Sequence, residues 1–530
     1  MNGQTMFDSK AKDTALQLLP SVSLKPSEFT QKPPSKSGEN INVNEQDLSL
    51  ITKQTWEAIK KQNNPPAYFR HGDSLCRLEK DNDNQLEIRT LTEPRLRYEL
   101  AELITWFKLD RHLNECSAKP PKDLVTNLLA TPNPPLPVLD RITEVPVFCS
   151  DGTLITDAGY HETARLYYSP ATGLEVGAIP DNPTPEQIQN ARSLILDDLL
   201  CDFPFVDESD KSHAVALFLL PCCRDLIDGP TPNHLVESPT PGTGKDLLIE
   251  VCLRSALGPS ALGTLSQATN EEEWRRRLTA CFRQPSGSIH IGNITKPLNS
   301  GALAAALTAK RWDDRVLRTN DLISLPVRHV WTTTGNNPIL SSEIARRSIR
   351  IRIDAQLERP WERSNFKHSN LSKWTEKNRA NLLRGGLILI QAWIAADKPS
   401  FTEKSLGSFE SWSNVMGGIL EVAGIQGFLR NLHEFYEVSD PESKSWKQFV
   451  ASWWDNFSYR PVRTKTLLQL AEEANLEISG FTDHANNVSL GKKLIGQRDR
   501  VIGGYKIVQT QTKKQRASLW ELSSVSSESR

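Results

Sequence analysis

The segment SPTPGTGKDLL, Ser238 to Leu248, sets a Gly-x-Gly turn directly before a lysine and an acid. In the pattern G-x-x-x-x-G-K-[ST], backbone N–H groups of such a loop cradle phosphates, the lysine reaches the β- and γ-phosphates, and the hydroxyl holds Mg²⁺. Here Pro239 replaces the first glycine and Asp246 replaces the hydroxyl. The chemistry on offer is capture of a nucleoside triphosphate, with ATP and Mg²⁺ as the expected ligands. The expected contacts are Pro241, Gly242, Thr243, Gly244, Lys245, Asp246 and Leu247, and Asp246 is the expected metal ligand.

Three further segments bear on the same chemistry. A carboxylate at the end of a second strand normally anchors metal-bound water, but in SIHIGNI, Ser288 to Ile294, Gly292 stands there and Asn293 follows. Loss of that carboxylate weakens metal binding and water activation. In HVWTTTGNNP, Asn336 and Asn337 follow a β-branched run, where a polar side chain can orient attacking water. In EIARRSIRIRID, Arg346 and Arg347 end a short helix, from which an arginine of one subunit can stabilise charge on a neighbour's γ-phosphate. Taken singly, each has a plain structural reading, since Gly, Pro and Asn make turns and arginine pairs are solvated. All four in this order, spaced by strand–helix units, point to a phosphate-binding site.

The elements that must position these residues are a strand at HLVE, Gly242–Gly244 as the turn, and a helix over DLLIEVCLRSAL, whose N-terminus offers free N–H groups and a positive dipole end. A chain of 530 residues is too long for one core. Residues 1–45 are polar and proline-rich and read as a disordered tail. Residues 46–130 read as a helical N-terminal region, on patterns such as LRYELAELITWFKL, and 131–195 as a small α+β region of short strands and hairpins. Thr184, Pro185 and Glu186 read as a helix start. The α/β core with the phosphate loop spans 196–370, a helical block 371–445, and a winged-helix-like unit 446–525.

Charge is balanced, 63 basic against 64 acidic residues, so contact with nucleic acid must come from a local patch. One such patch is LGKKLIGQRDRVIGGYKIVQTQTKKQRASLW, where Lys492, Lys493, Arg498, Arg500, Lys513, Lys514 and Arg516 fall on a helix followed by strands. A winged helix would present them to DNA phosphates, and a solvated hairpin is the plain alternative. The eight cysteines show no metal-ligand spacing and fit a reducing cytoplasm. No apolar run approaches the ~20 residues of a membrane span, and the N-terminus lacks a signal-peptide core, so a cytoplasmic protein is expected. No D-x-D carboxylate pair suits primer synthesis, which a separate primase would supply.

From LCDFPFVDESDKSHAVALFLLPCCRDLIDGPTPNHLVESPTPGTGK, through LNSGALAAALTAKRWDDRVL, to WTTTGNNPILSSEIARRSIRIRIDA, the sequence resembles a family of AAA+, superfamily-3-like P-loop ATPases of phages, plasmids and integrative elements, which includes primase- and helicase-like proteins. The likeness covers about residues 130–525 and is strongest over 195–360. It implies an ATP-driven, helicase-like DNA motor assembled as a homo-oligomeric ring such as a hexamer, acting on single-stranded or forked DNA in replication of a mobile element. Carried over by position, Gly242, Gly244 and Lys245 would hold phosphates, Asn336 or Asn337 would be the sensor, and Arg346 or Arg347 the arginine finger. Trp312 to Arg315 match a recurring W-x-D-R segment, read either as a salt-bridged turn or as a subunit or DNA contact. Relatives carry Asp-Asn where this chain has Gly292 and Asn293. That departure opens the alternative of a catalytically degenerate nucleotide-binding module that assembles on DNA or a replication partner without turning over ATP.

Overall fold

The computed structural model describes residues 39–525, apart from 46, 82–84, 259–261, 285–286, 316–321, 440, 479–481 and 511–518. The N-terminal region differs from the helical reading in being mixed α/β. Its helices Leu48–Gln62, Glu93–Leu103 and Lys122–Ala130 share a core with strands. Tyr68–His71, Ser74–Lys80 and Leu86–Thr90 form an antiparallel meander. The helix expected over LRYELAELITWFKL stops at Leu103. The β-branched and aromatic residues Thr105, Trp106 and Phe107 instead pair with Asn40–Asn42. That pairing also corrects the tail boundary, because Asn40–Asn42 lie in a sheet; residues 1–38 of the expected tail fall outside the described residues.

Residues 131–195 hold short strands. Arg141–Thr143, Gly159–His161 and Leu166–Tyr168 form one sheet, and Val147–Phe148 pairs with Leu154–Ile155. Thr184 begins the helix Pro185–Ser193 through a reciprocal capping box with Gln187, which satisfies two N–H groups at the helix start.

The centre of the molecule is a parallel five-stranded sheet, in the order Leu262–Leu265, Ser288–Ile294, Val330–Asn336, Asn233–Ser238, Ser348–Arg352. Parallel strands need helical crossovers and are covered on both faces, which accounts for runs such as VWTTT being buried throughout. The helix Glu208–Cys223 is buried on nearly every side, started by Asp207 in a second capping box, and packs with the helices Lys245–Leu257 and Arg379–Ala395 in one core. The helices Glu271–Phe282 and Gly301–Thr308 cover the opposite face.

Beyond the sheet come the helices Leu371–Lys377, Arg379–Ala395, Glu410–Val422, Leu432–Ser439 and Pro441–Phe457. The C-terminal part runs strand Val462–Arg463, helices Thr464–Glu473 and Asp483–Gly496, then strands Val501–Ile502, Tyr505–Gln509 and Leu519–Ser524 in one antiparallel sheet. Its own core contains Trp446, Phe449, Trp453, Leu467 and Trp520. Among the described residues no helix is long and apolar enough to cross a membrane.

Candidate functional site

The strand Asn233–Ser238 delivers the chain into the glycine-bearing loop, and the helix Lys245–Leu257 leaves it. Gly242 has φ +75° and Gly244 +101°, a backbone region that L side chains rarely adopt. A Cβ at Gly242 would stand 3.0 Å from the Trp361 ring, and one at Gly244 would stand 3.5 Å from Phe203. Thr243 ties the turn by donating to the Thr240 carbonyl at 2.9 Å. Helix hydrogen bonding begins with Leu248 N–H to Gly244 O, so the amides before it face the loop without helical partners. Pro241 is exposed at the tip, and Leu247 packs into the main core.

Lys245 Nζ donates to Ser238 Oγ at 2.9 Å and to Asn336 Oδ1 at 2.7 Å. The register explains the meeting, because Ser238 and Asn336 are direct partners at the ends of adjacent parallel strands. Partial burial pulls the Lys245 ammonium below the ordinary lysine value, and Asp246 opposes that pull. Asn337 turns away. Its φ is +43°, its N–H donates to Ser238 O, and its side-chain oxygen accepts from Arg352 at 3.1 Å, which also donates to buried Glu237 at 2.7 Å. Of the two asparagines, Asn336 is thus the one placed at the lysine.

Side chains two apart on a strand share a face, so His290, Thr332, Thr334 and Asn336 lie in a row under the start of the helix Lys245–Leu257. His290 Nδ1 is 3.0 Å from Thr332 Oγ1, and its Nε2 is 3.7 Å from Asp246 Oδ1. The Asp246 side chain is 75% exposed and that of His290 17%. Hydrogen bonding to His290 holds the Asp246 carboxyl below its usual range. A bulge interrupts the strand between Ile291 and Ile294, where Asn293 has φ +51° and its N–H donates to Thr334 Oγ1. The sequence reading missed His290, Ser238, Phe203 and Trp361. The alternation of SIHIGNI was the available signal for His290, since it puts 290 and 292 on one face.

The arginines are elsewhere. Asn233 N–H donates to Arg347 O, so Arg346 and Arg347 sit at the N-terminal edge of the sheet, opposite the loop edge. The five-residue step from Asn233 to Ser238 sets the two edges about 17 Å apart. Both arginines are held by Glu343, and Arg347 is only 11% exposed while Arg346 is half exposed. Within one chain they do not join the cradle.

Trp312 lies in a strand, Arg311–Arg315, hairpinned with Leu322–Pro326, not in a turn. Its buried indole donates to Thr279 Oγ1 at 2.8 Å and carries the Arg275 guanidinium over its face, and Arg275 also pairs with Asp314. Of the C-terminal basic residues, Lys492 is exposed and Lys493 is 3.9 Å from Glu442. Arg498 pairs with Asp499, and Arg500 donates to Gln497. Lys513, Lys514 and Arg516 fall outside the described residues.

No protein-family model matches the chain, and no curated protein matches it. Two similar solved structures are described as helicases. One is "SCCmec type IV Cch - active helicase", at 10% identity, TM-score 0.36, covering 85% of this chain and 91% of that one. The other is a JCV helicase with a bound small molecule, at 14% identity, TM-score 0.19, covering 48% and 73%.

Proposed function

We propose that this chain is a P-loop ATPase of the AAA+ type that works as a helicase-like DNA motor in replication of a mobile element. The observation that carries the reading is the cradle, with Gly242 and Gly244 in left-handed geometry at a helix N-terminus and Lys245 fixed between Ser238 and Asn336. Those features fit a triphosphate, with Gly242 to Lys245 to hold the phosphates and Asp246 to face the cation. A bound divalent cation would supply charge neutralisation at the β- and γ-phosphates. The protein's own contribution is positional: Asn336 keeps the Lys245 ammonium aimed along the loop, and the helix dipole adds partial positive charge.

Arg346, the half-exposed member of its pair, serves as the finger to a neighbouring subunit in a ring. The C-terminal unit has the helix, helix, sheet order of a winged helix, and its exposed Lys492, Arg498 and Arg500 would contact DNA phosphates. Priming would fall to a separate primase.

A second reading is favoured by Gly292, which leaves no carboxylate on that strand end: a nucleotide-binding module that assembles on DNA without turnover. ATP hydrolysis by the purified protein, with and without single-stranded DNA, decides between them. DNA-stimulated hydrolysis that falls at least about 100-fold in Lys245→Ala is the expected result for a motor. Tight ATP binding with no hydrolysis selects the second reading, and no binding removes both.

A further inference from the structure

Gly292 and His290 explain each other. A Cβ added at Gly292 would stand 3.1 Å from His290 Nε2 and 3.6 Å from Cδ2. The imidazole therefore fills the space that a side chain at 292 would enter, and glycine is what lets it lie there. From that position the ring reaches two groups. Nδ1 lies 3.0 Å from Thr332 Oγ1, and Nε2 faces the Asp246 carboxylate 3.7 Å away as a His–Asp pair.

A divalent cation bound between the two side chains would take the place of the Nε2 proton that faces Asp246, with the remaining ring proton on Nδ1 toward Thr332 Oγ1. Nitrogen and oxygen donors bind divalent metals at about 2.1 Å, so two of them can share one ion at separations up to about 4.2 Å. The 3.7 Å gap is within that reach. The Nδ1 bond to Thr332 is also the kind of outer contact that fixes tautomer and ring orientation in metal-binding histidines. Among the described residues no cluster of three or more His, Cys, Asp or Glu side chains forms a metal site, so the remaining donors would come from phosphate oxygens and water.

We propose that His290 and Asp246 form a divalent-cation site open to the phosphate loop, in which a nitrogen–oxygen pair stands in for the strand-end carboxylate absent at Gly292, and which selects Mn²⁺ or Co²⁺ over Mg²⁺. Imidazole favours later first-row metals, whereas Mg²⁺ demands oxygen donors. The inference rests on the nucleotide reading for its remaining donors, but the pair itself belongs to the protein.

The experiment titrates MnCl₂ into the full-length protein, alone and with the non-hydrolysable β,γ-imido analogue of ATP, followed by electron paramagnetic resonance. Binding of a fluorescent ATP analogue without metal is measured in parallel. The expected result is an imidazole ¹⁴N coupling on bound Mn²⁺ and Mn²⁺ affinity at least about tenfold above Mg²⁺. His290→Ala and His290→Gln should each lose the coupling and about tenfold or more in Mn²⁺ affinity, with metal-free nucleotide binding within about twofold. His290→Gln retains bulk and a polar tip, so it also controls for packing. In Gly292→Asp the new side chain meets the imidazole, so preference for Mg²⁺ should appear only when His290→Ala accompanies it.

Mn²⁺ affinity unchanged in both His290 variants, or no nitrogen coupling in the parent, overturns the site. Failure of the parent to bind the fluorescent analogue overturns the nucleotide reading instead, while the Mn²⁺ signal of the protein alone still reports on His290.

Discussion

Gly244, with φ +101° at the start of the helix Lys245–Leu257, shows how closely the loop depends on single residues. Any Cβ there is conformationally strained and is also brought against Phe203. Gly244→Ala should cost about 1–3 kcal/mol and distort the amides that face an anion. Chemical denaturation and titration with a fluorescent ATP analogue should show both losses together; nucleotide affinity unchanged in Gly244→Ala would remove the cradle from the argument. At the same scale, the lysine and glycines were legible because their pattern is local. Asn336 over Asn337 was not, since the choice depends on which amide meets a lysine 91 positions away.

Among the elements, the hairpin Arg311–Arg315/Leu322–Pro326 illustrates an anchor that reads as surface charge in the sequence. Trp312 is 4% exposed, packed on Phe282 and bonded to Thr279 of the helix Glu271–Phe282. Trp312→Ala should destabilise the protein by about 3–5 kcal/mol through lost burial and the cavity left behind. Trp312→Phe should cost far less, because the ring packing survives and the lost hydrogen bond is worth about 1 kcal/mol. Calorimetry of the first unfolding transition separates the two, and equal small losses would show that the hairpin is not pinned by this side chain. The N-terminal helix that stops at Leu103 teaches the complementary lesson. The spacing of LRYELAELITWFKL predicts a helix running on past Leu103, but the strand that follows is held by partners on both sides, Asn40–Asn42 and Glu115–Ser117.

For the molecule as a whole, three buried imidazoles set the response to acid. His213 is fixed between Arg350 O and Leu429 N–H, with no room for a second ring proton, and burial pushes its pKa down to about 4. Burial likewise lowers His234 to about 3 and His329 to about 4. In the unfolded chain each takes up a proton near pH 6.5. Between pH 6.5 and 4 the unfolded state therefore binds more protons, and stability falls as pH falls through that window. Asp210, raised by burial to about 7, works in the opposite sense, because its neutral form is the one favoured in the fold. Three groups against one leave a net loss on acidification. The melting temperature should be highest above pH 6.5 and drop steadily toward pH 4; a flat or rising profile would contradict this balance.

Elements that depend on neighbours in the chain can be read from residue order: the glycine turn before Lys245, the β-branched strands at Val330–Asn336 and Ser348–Arg352, and the capped start at Thr184. Tertiary structure alone decided which of these residues share a place. Parallel pairing sets His290 beside Thr332 and Ser238 beside Asn336, and packing of the helix Lys245–Leu257 over that sheet brings Asp246 to His290. The same pairing carries Arg346 and Arg347 to the opposite edge. The physical reason is that a parallel sheet is closed by crossovers of a dozen or more residues, so register, and with it every meeting across strands, is fixed by the packed core and not by local pattern.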